Sequence, residues 1–220
     1  MATALGPAPV LSLVVDRQAA RTELRTAVEA AVRCGVDWVQ LRERALEGAE
    51  WLAWADALAA AVRRGARSSG RQARVIVNRR VDIALAIAAD GVHLGRGAMA
   101  PSEARALLGP ERLIGVSTHG VEDVEAASEC ADYVHLAPIF APLSKRPTAP
   151  PLGVEALAGA SRHGLPVLGQ GGIERDHCEA IVAAGAAGIA VTGAILMADD
   201  PGAAAASLRR ALDRADRRGR

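Results

Sequence analysis

Two glycine turns and one histidine carry the chemistry that this sequence spells out most clearly. From Val167 to Ile195 it reads VLGQGGIERDHCEAIVAAGAAGIAVTGAI, a strand, a glycine turn and a helix written twice. Gly171-Gly172 and Thr192-Gly193 then stand at the C-terminal ends of two successive parallel strands. Without a Cβ, glycine lets backbone N–H groups approach a bound anion closely. Such turns after the last two strands of an eightfold βα repeat form a phosphate grip. The plainer alternative, that these glycines only make tight connections between strand and helix, carries less weight because both turns sit where a barrel binds phosphate.

Other strand ends supply donors and cations. VQLRER places Gln40, Arg42 and Arg44 alternately on one side of the second strand. The third strand closes on Asn78, the fifth on Ser117-Thr118-His119, and the sixth runs toward Ser144 and Lys145. Guanidinium, ammonium, amide and hydroxyl groups together suit a small phosphorylated anion. Each has a plainer reading: Gln40 and Arg42 could pair with Glu43 and Asp16 in the barrel bottom, and Lys145 could sit solvated on its loop. His119 is the histidine placed for proton transfer, since an imidazole titrates near neutral pH and moves protons both ways. A loop-capping role is its alternative. His93 and His135 lie within strands and suit hydrogen-bonded core imidazoles, while His163 and His177 fall on helices and suit the surface.

The elements that must hold these groups follow from periodicity. Nearly continuous Val/Ile/Leu runs predict buried parallel strands at Leu11–Asp16, Trp38–Glu43, Arg74–Asn78, Gly91–Leu94, Leu113–Ser117, Tyr133–Pro138, Pro166–Gln170 and Gly188–Thr192. Amphipathic stretches between them predict helices, the first capped by Thr22 and stopped near Gly35, the last opening at Pro201. Eight βα units predict a (β/α)₈ TIM barrel, one domain over residues 1–220 with its core at 11–196 and a basic C-terminal helix at 201–220. The loop APLSKRPTAPPLG, Ala141 to Gly153, is long enough to serve as a lid over the mouth.

Composition narrows the classes. The 220 residues are 50% hydrophobic but only 2% aromatic, so core volume is expected from many small aliphatic contacts. A net charge of +1 argues against a polyanion-coating protein, and the arginines of LRRALDRADRRGR fall at helical spacing, as on a solvated helix face. Cys34, Cys130 and Cys178 lack disulfide or zinc spacing. No apolar stretch is long enough to span a membrane, and no signal peptide is seen. A soluble cytoplasmic protein is expected, with no nucleic-acid or membrane partner and the homo-oligomeric state left open.

The motifs VQLRER, VNRRVDIALAIAADGVHLG, IGVSTH, ADYVHLAPIF followed by Ser-Lys, QGGI and AAGAAGIAV occur in one order from Leu11 to Ile195. Together they resemble the thiamine phosphate synthase superfamily. Two branches share its barrel: a magnesium-dependent synthase that joins a pyrimidine diphosphate to a thiazole phosphate, and a metal-free thiazole tautomerase. The synthase pattern writes Asn-Asp-Arg after the third strand, its aspartate binding magnesium, where this chain has Asn78-Arg79-Arg80. A second aspartate is replaced by Ala98. The lid's Thr-x-Thr-Lys becomes Pro142-Leu143-Ser144-Lys145, keeping one hydroxyl and the lysine, and Gly193 stands for a serine. Ser-Thr-His is common to many synthases, so His119 does not separate the branches.

The tautomerase branch resembles the chain at these departures. That resemblance implies an isomerase with no metal and no cofactor, whose partner is a small thiazole phosphate. It places the phosphate on Gly171, Gly172, Thr192 and Gly193, the substrate carboxylate before Arg42, Asn78, Ser144 or Lys145, and the travelling proton on His119. Gln40, Arg44 and Ser117 complete the expected substrate contacts. The synthase reaction and a non-catalytic binder of thiazole phosphate or thiamine phosphate stand as alternatives.

Overall fold

A computed structural model describes residue 5, residues 9–141 and residues 150–219. Eight parallel strands close into a barrel in sequence order: β1 (Val10–Val15), β2 (Trp38–Leu41), β3 (Arg74–Asn78), β4 (Gly91–Leu94), β5 (Leu113–Thr118), β6 (Tyr133–Leu136), β7 (Val167–Gln170) and β8 (Gly188–Val191). β8 returns to β1 with Val10 opposite Gly188 and Leu13 opposite Val191. The helices are α1 (Leu24–Arg33), α2 (Gly48–Ser69), α3 (Val81–Ala86), α4 (Pro101–Leu108), α5 (Val121–Ala127), α6 (Gly153–Ala160), α7 (Cys178–Ala183), α8 (Gly193–Leu196) and α9 (Pro201–Gly219). The chain is a single-domain TIM barrel. None of its described helices is long and apolar enough to cross a membrane.

Alternation along each strand divides the core in two. Outward residues such as Leu11, Leu13, Val39, Val77, Ile114 and Ile189 meet the helices in one aliphatic cluster. Inward residues Val10, Trp38, Ile76, Leu113, Tyr133 and Leu168 fill the barrel floor. The scarcity of aromatics is therefore misleading there, because Trp38 and Tyr133 meet edge to face at 4.9 Å and supply much of the floor's bulk. They fit because their neighbours are small: a Cβ added to Gly115 would lie 2.2 Å from the Tyr133 ring. Above this floor the inward positions turn polar, with Ser12, Gln40, His93 and His135 all buried.

Several element ends differ from the sequence expectation. Glu23, not Thr22, caps α1, its carboxylate accepting from the amides of Arg25 and Thr26. The expected helix from Arg175 opens as a 3₁₀ turn before α7, and α8 is an extra turn of helix directly after β8. His177 is half-buried instead of simply exposed, its ring stacked on Phe140 at 3.9 Å. Most of the expected lid, Ser144 and Lys145 included, lies outside the described residues.

The C-terminal helix is a latch. α9 buries Leu208, Leu212 and Ala215 and turns Arg210, Arg214, Arg217 and Arg218 outward. From its half-buried side Arg209 donates to Asp37 Oδ2 at 2.9 Å and to the Pro9 carbonyl at 2.9 Å. The same Asp37 oxygen accepts the Leu11 amide at 2.8 Å, so one carboxylate joins α9 to the start of β1. Removing one partner of a largely buried pair leaves the other charge uncompensated. Arg209→Met is expected to destabilise the barrel by about 2 kcal/mol, less than a fully orphaned charge because Asp37 keeps Leu11 and Arg71. Urea denaturation checks this; a loss under about 0.5 kcal/mol would remove the latch role.

Candidate active site

The C-terminal ends of the strands surround a cavity of about 870 Å³. In a barrel this mouth is where catalytic side chains gather, because every parallel strand delivers its last inward residue there. Its lining includes Gln40, Arg42, Arg44, Asn78, Ser117, His119, Gly171, Gly172, Thr192 and Gly193, so the expected residues that are described converge on one space.

Gly171 and Gly172 both have positive φ, 97° and 60°. Phe140 donates to the Gly171 carbonyl at 3.0 Å, while the Gly171 and Gly172 amides have no acceptor among the described residues. A Cβ on Gly172 would lie 2.1 Å from the Ala141 carbonyl oxygen. Glycine is thus demanded here by neighbouring backbone as well as by any ligand. On β8, Thr192 spends its hydroxyl proton on the Val14 carbonyl at 2.9 Å, stitching the last strand to the first. A phosphate dianion only accepts hydrogen bonds, so it would find backbone amides there, those of Gly193 and Ala194 opening α8.

The strand-two arginine already has a partner. Arg42 donates to Asp16 Oδ2 at 3.0 Å, the partner of its plainer sequence reading, but at the mouth and not in the barrel bottom. Glu43 pairs instead with Arg17. Gln40 donates to Asn78 Oδ1 at 3.0 Å, and its buried carbonyl oxygen has no partner among the described residues. Arg44 is exposed, without an ion pair in that set. Arg79 and Arg80, which stand where the synthase pattern has its aspartate and arginine, and Arg96 of the strand-four ending HLGRG all line the mouth, although none was among the expected substrate contacts.

His119 reaches across from the end of β5. Its Nδ1 lies 2.9 Å from the Ala137 carbonyl oxygen, and its amide donates to Asp123 Oδ2 at 2.8 Å. A carbonyl only accepts, so Nδ1 carries the proton and the neutral ring keeps its lone pair on Nε2. Capping and proton transfer are therefore compatible in one residue. Below it Ser117 Oγ lies 2.9 Å from His93 Nε2, and His93 packs on His135 with ring centroids 4.2 Å apart. His93 is the hydrogen-bonded core imidazole expected. His135 is buried as expected, but neither ring nitrogen meets a partner in good hydrogen-bond geometry among the described residues; the Gln170 side chain is near enough for a weak hydrogen bond that offsets a little of the effect of burial.

A family model described as thiamine monophosphate synthase matches residues 11–195. The chain belongs to that family. The thiamine-phosphate synthase of Albidiferax ferrireducens is 41% identical over 207 residues, 92% of this chain and 91% of the relative. That of a Roseiflexus species is 39% identical over 202 residues, covering 90% and 83%. Among solved structures, the thiamine phosphate pyrophosphorylase of Pyrococcus furiosus is 28% identical with a TM-score of 0.80, covering 94% and 96%. The chain is accordingly a thiamine-biosynthesis enzyme by family.

Magnesium, which the synthase branch implies, does not fit the groups present. It needs hard oxygen ligands, usually one or two carboxylates beside substrate phosphates. At the ends of β3 and β4 stand Arg79 and Ala98, and the carboxylates that follow β1 and β2, Asp16 and Glu43, already meet Arg42 and Arg17. No group of three or more His, Cys, Asp or Glu among the described residues is arranged to hold a metal ion.

Burial pushes the His135 imidazole down to about 3, and His93 well below its usual range, with His135 beside it adding to the effect. The unfolded chain takes up protons near pH 6.5 where the folded barrel refuses them. Stability from His135 is then complete above pH 6.5 and falls by about 1.4 kcal/mol per pH unit as pH drops toward 3, and His93 acts in the same direction. Urea midpoints measured across this window should show that slope, and His135→Phe should flatten it by one proton's share. An unchanged slope in the variant would mean that His135 is already protonated in the folded state.

Proposed function

We propose that the chain isomerises a thiazole carboxylate phosphate to its aromatic form by acid–base proton transfer, without a metal. The observation that carries this reading is the pairing of His119 Nε2, free in a mouth of about 870 Å³, with strand ends that offer cations where a magnesium site would need carboxylates. The phosphate would lie on the amides of the 171–172 turn and of Gly193. His119 Nε2 would take the proton from the thiazole C2 carbon, the imidazolium being held by the Ala137 carbonyl through Nδ1–H. The same nitrogen would return a proton to the exocyclic carbon. The gain in aromaticity drives the reaction, so positioning and one acid–base group suffice.

A second reading is thiamine-phosphate synthase activity, joining a pyrimidine diphosphate to a thiazole phosphate. The names of the relatives at about 40% identity favour it over isomerisation. It asks Arg79 and its neighbours to do for the leaving diphosphate what carboxylate-bound magnesium does elsewhere.

His119→Asn keeps a side chain that can donate to Ala137 but removes the titratable base. It is expected to lower the isomerisation rate by about 10²–10⁴-fold with little change in substrate affinity, and to erase the acidic inflection of the pH–rate profile. A variant that melts early yet turns over at the wild-type rate would reduce His119 to a loop cap. Formation of thiamine phosphate from the two synthase substrates, with no isomerisation, would establish the second reading.

A further inference from the structure

The mouth is lined by five arginines, Arg42, Arg44, Arg79, Arg80 and Arg96, against the three carboxylates Asp16, Glu43 and Glu47. Two of the five are spoken for: Arg42 by Asp16, and Arg80 by Asp82 outside the lining with Glu47 close by. Glu43 is taken by Arg17. Arg44, Arg79 and Arg96 are exposed and make no ion pair among the described residues. Positive charge is therefore left over on one side of the opening. In an eight-stranded ring that side, at the ends of β2, β3 and β4, faces the glycine turns after β7 and β8.

Arg79 is also held in an unusual way. Its φ is 66°, a left-handed conformation that is unfavourable for a residue with a Cβ. Its amide donates to the His93 carbonyl at 2.9 Å and its Nη2 to the Gly97 carbonyl at 2.7 Å, so the guanidinium bridges the loops after β3 and β4. One N–H of the fork is used and the others are unassigned. Unfavourable backbone that persists beside a cavity marks a place where the side chain's position matters. Crowding of like charge is evident next door, where burial and then the neighbouring Arg44 pull Arg42 below its ordinary value.

We infer that the rim formed by the loops after β3 and β4 is a second oxyanion subsite, in which the guanidinium groups of Arg79 and Arg96, flanked by Arg44, bind the ligand without a divalent cation. It deepens the reading of the mouth as a thiazole phosphate site by giving the ligand's second anionic group an address. Arg42 is less suited to that task because Asp16 already neutralises it. The anion is either a carboxylate on the thiazole or the diphosphate of a second substrate; both present planar or tetrahedral oxygens that a guanidinium fork meets with paired N–H donors.

Calorimetry in the presence of chelator separates these sources. The ligands are inorganic pyrophosphate, the thiazole carboxylate phosphate, and the thiazole phosphate that lacks the carboxylate. Arg79→Gly is the informative variant, because glycine accepts the left-handed backbone and keeps the loop in place. Paired with Arg96→Gln, it should weaken the doubly anionic ligand by at least tenfold and leave the carboxylate-free thiazole phosphate within twofold of wild type. A loss confined to pyrophosphate names diphosphate as the anion, and a loss confined to the carboxylate ligand names the carboxylate. Equal weakening of all three ligands, or binding seen only after magnesium is added, would overturn the subsite. If wild type ignores both thiazole phosphates yet binds pyrophosphate through Arg79 and Arg96, the subsite stands and the thiazole reading falls.

Discussion

The ring of Tyr133 occupies the space that a side chain at position 115 would need, and this fit sets the height of everything above it. Strands in a closed barrel cannot slide independently, since each register is shared with two neighbours. Gly115 pairs with Tyr133 across β5 and β6, so two positions further along Ser117 must pair with His135. From the same strand His119 then emerges at the mouth. A bulkier residue at 115 would have to displace an aromatic that also meets Trp38 and thus disturb the floor under the whole site. Interiors close-packed to this degree convert a local substitution into a shift of strand height.

Electrostatics changes along the barrel axis in step with solvent. Within the barrel, burial favours the neutral form of His93 and His135, so His93 can orient Ser117 without bringing a charge beneath the site. At the rim His119 is exposed. Around it, arginines outnumber carboxylates, and the glycine turns present amides instead of side chains. In the proposed isomerisation, proton transfer falls to His119 and anion binding to arginines and glycine amides, with no metal ligand among them. The family relationship supplies the chemical setting, a phosphorylated thiazole of thiamine biosynthesis; the identity of the rim residues bears on which reaction is run on it.

Much of this was legible in the order of residues. Continuous apolar runs located all eight strands, with β3 and β4 matched end to end, because a strand buried on both faces leaves a strong signal over few residues. Gly171-Gly172 and His119 were visible for the same reason: strand ends in a βα repeat have one destination. Pairings across loops were not visible. Nothing in the sequence separates an Arg42 turned to a ligand from an Arg42 bound to Asp16, and only the fold brings residues 26 apart to 3.0 Å. The positive φ of Arg79 was hidden because arginine does not advertise it as glycine does. Glu23 outdid Thr22 as a cap because its longer side chain folds back on two amides at once.

The most direct measurement is the reaction of the thiazole carboxylate phosphate in D₂O with excess chelator, followed by NMR. Aromatic product should form at the same rate as with magnesium present and carry solvent deuterium at the exocyclic carbon, because the exposed His119 exchanges its proton with water. No product until magnesium is restored would contradict a metal-free acid–base site.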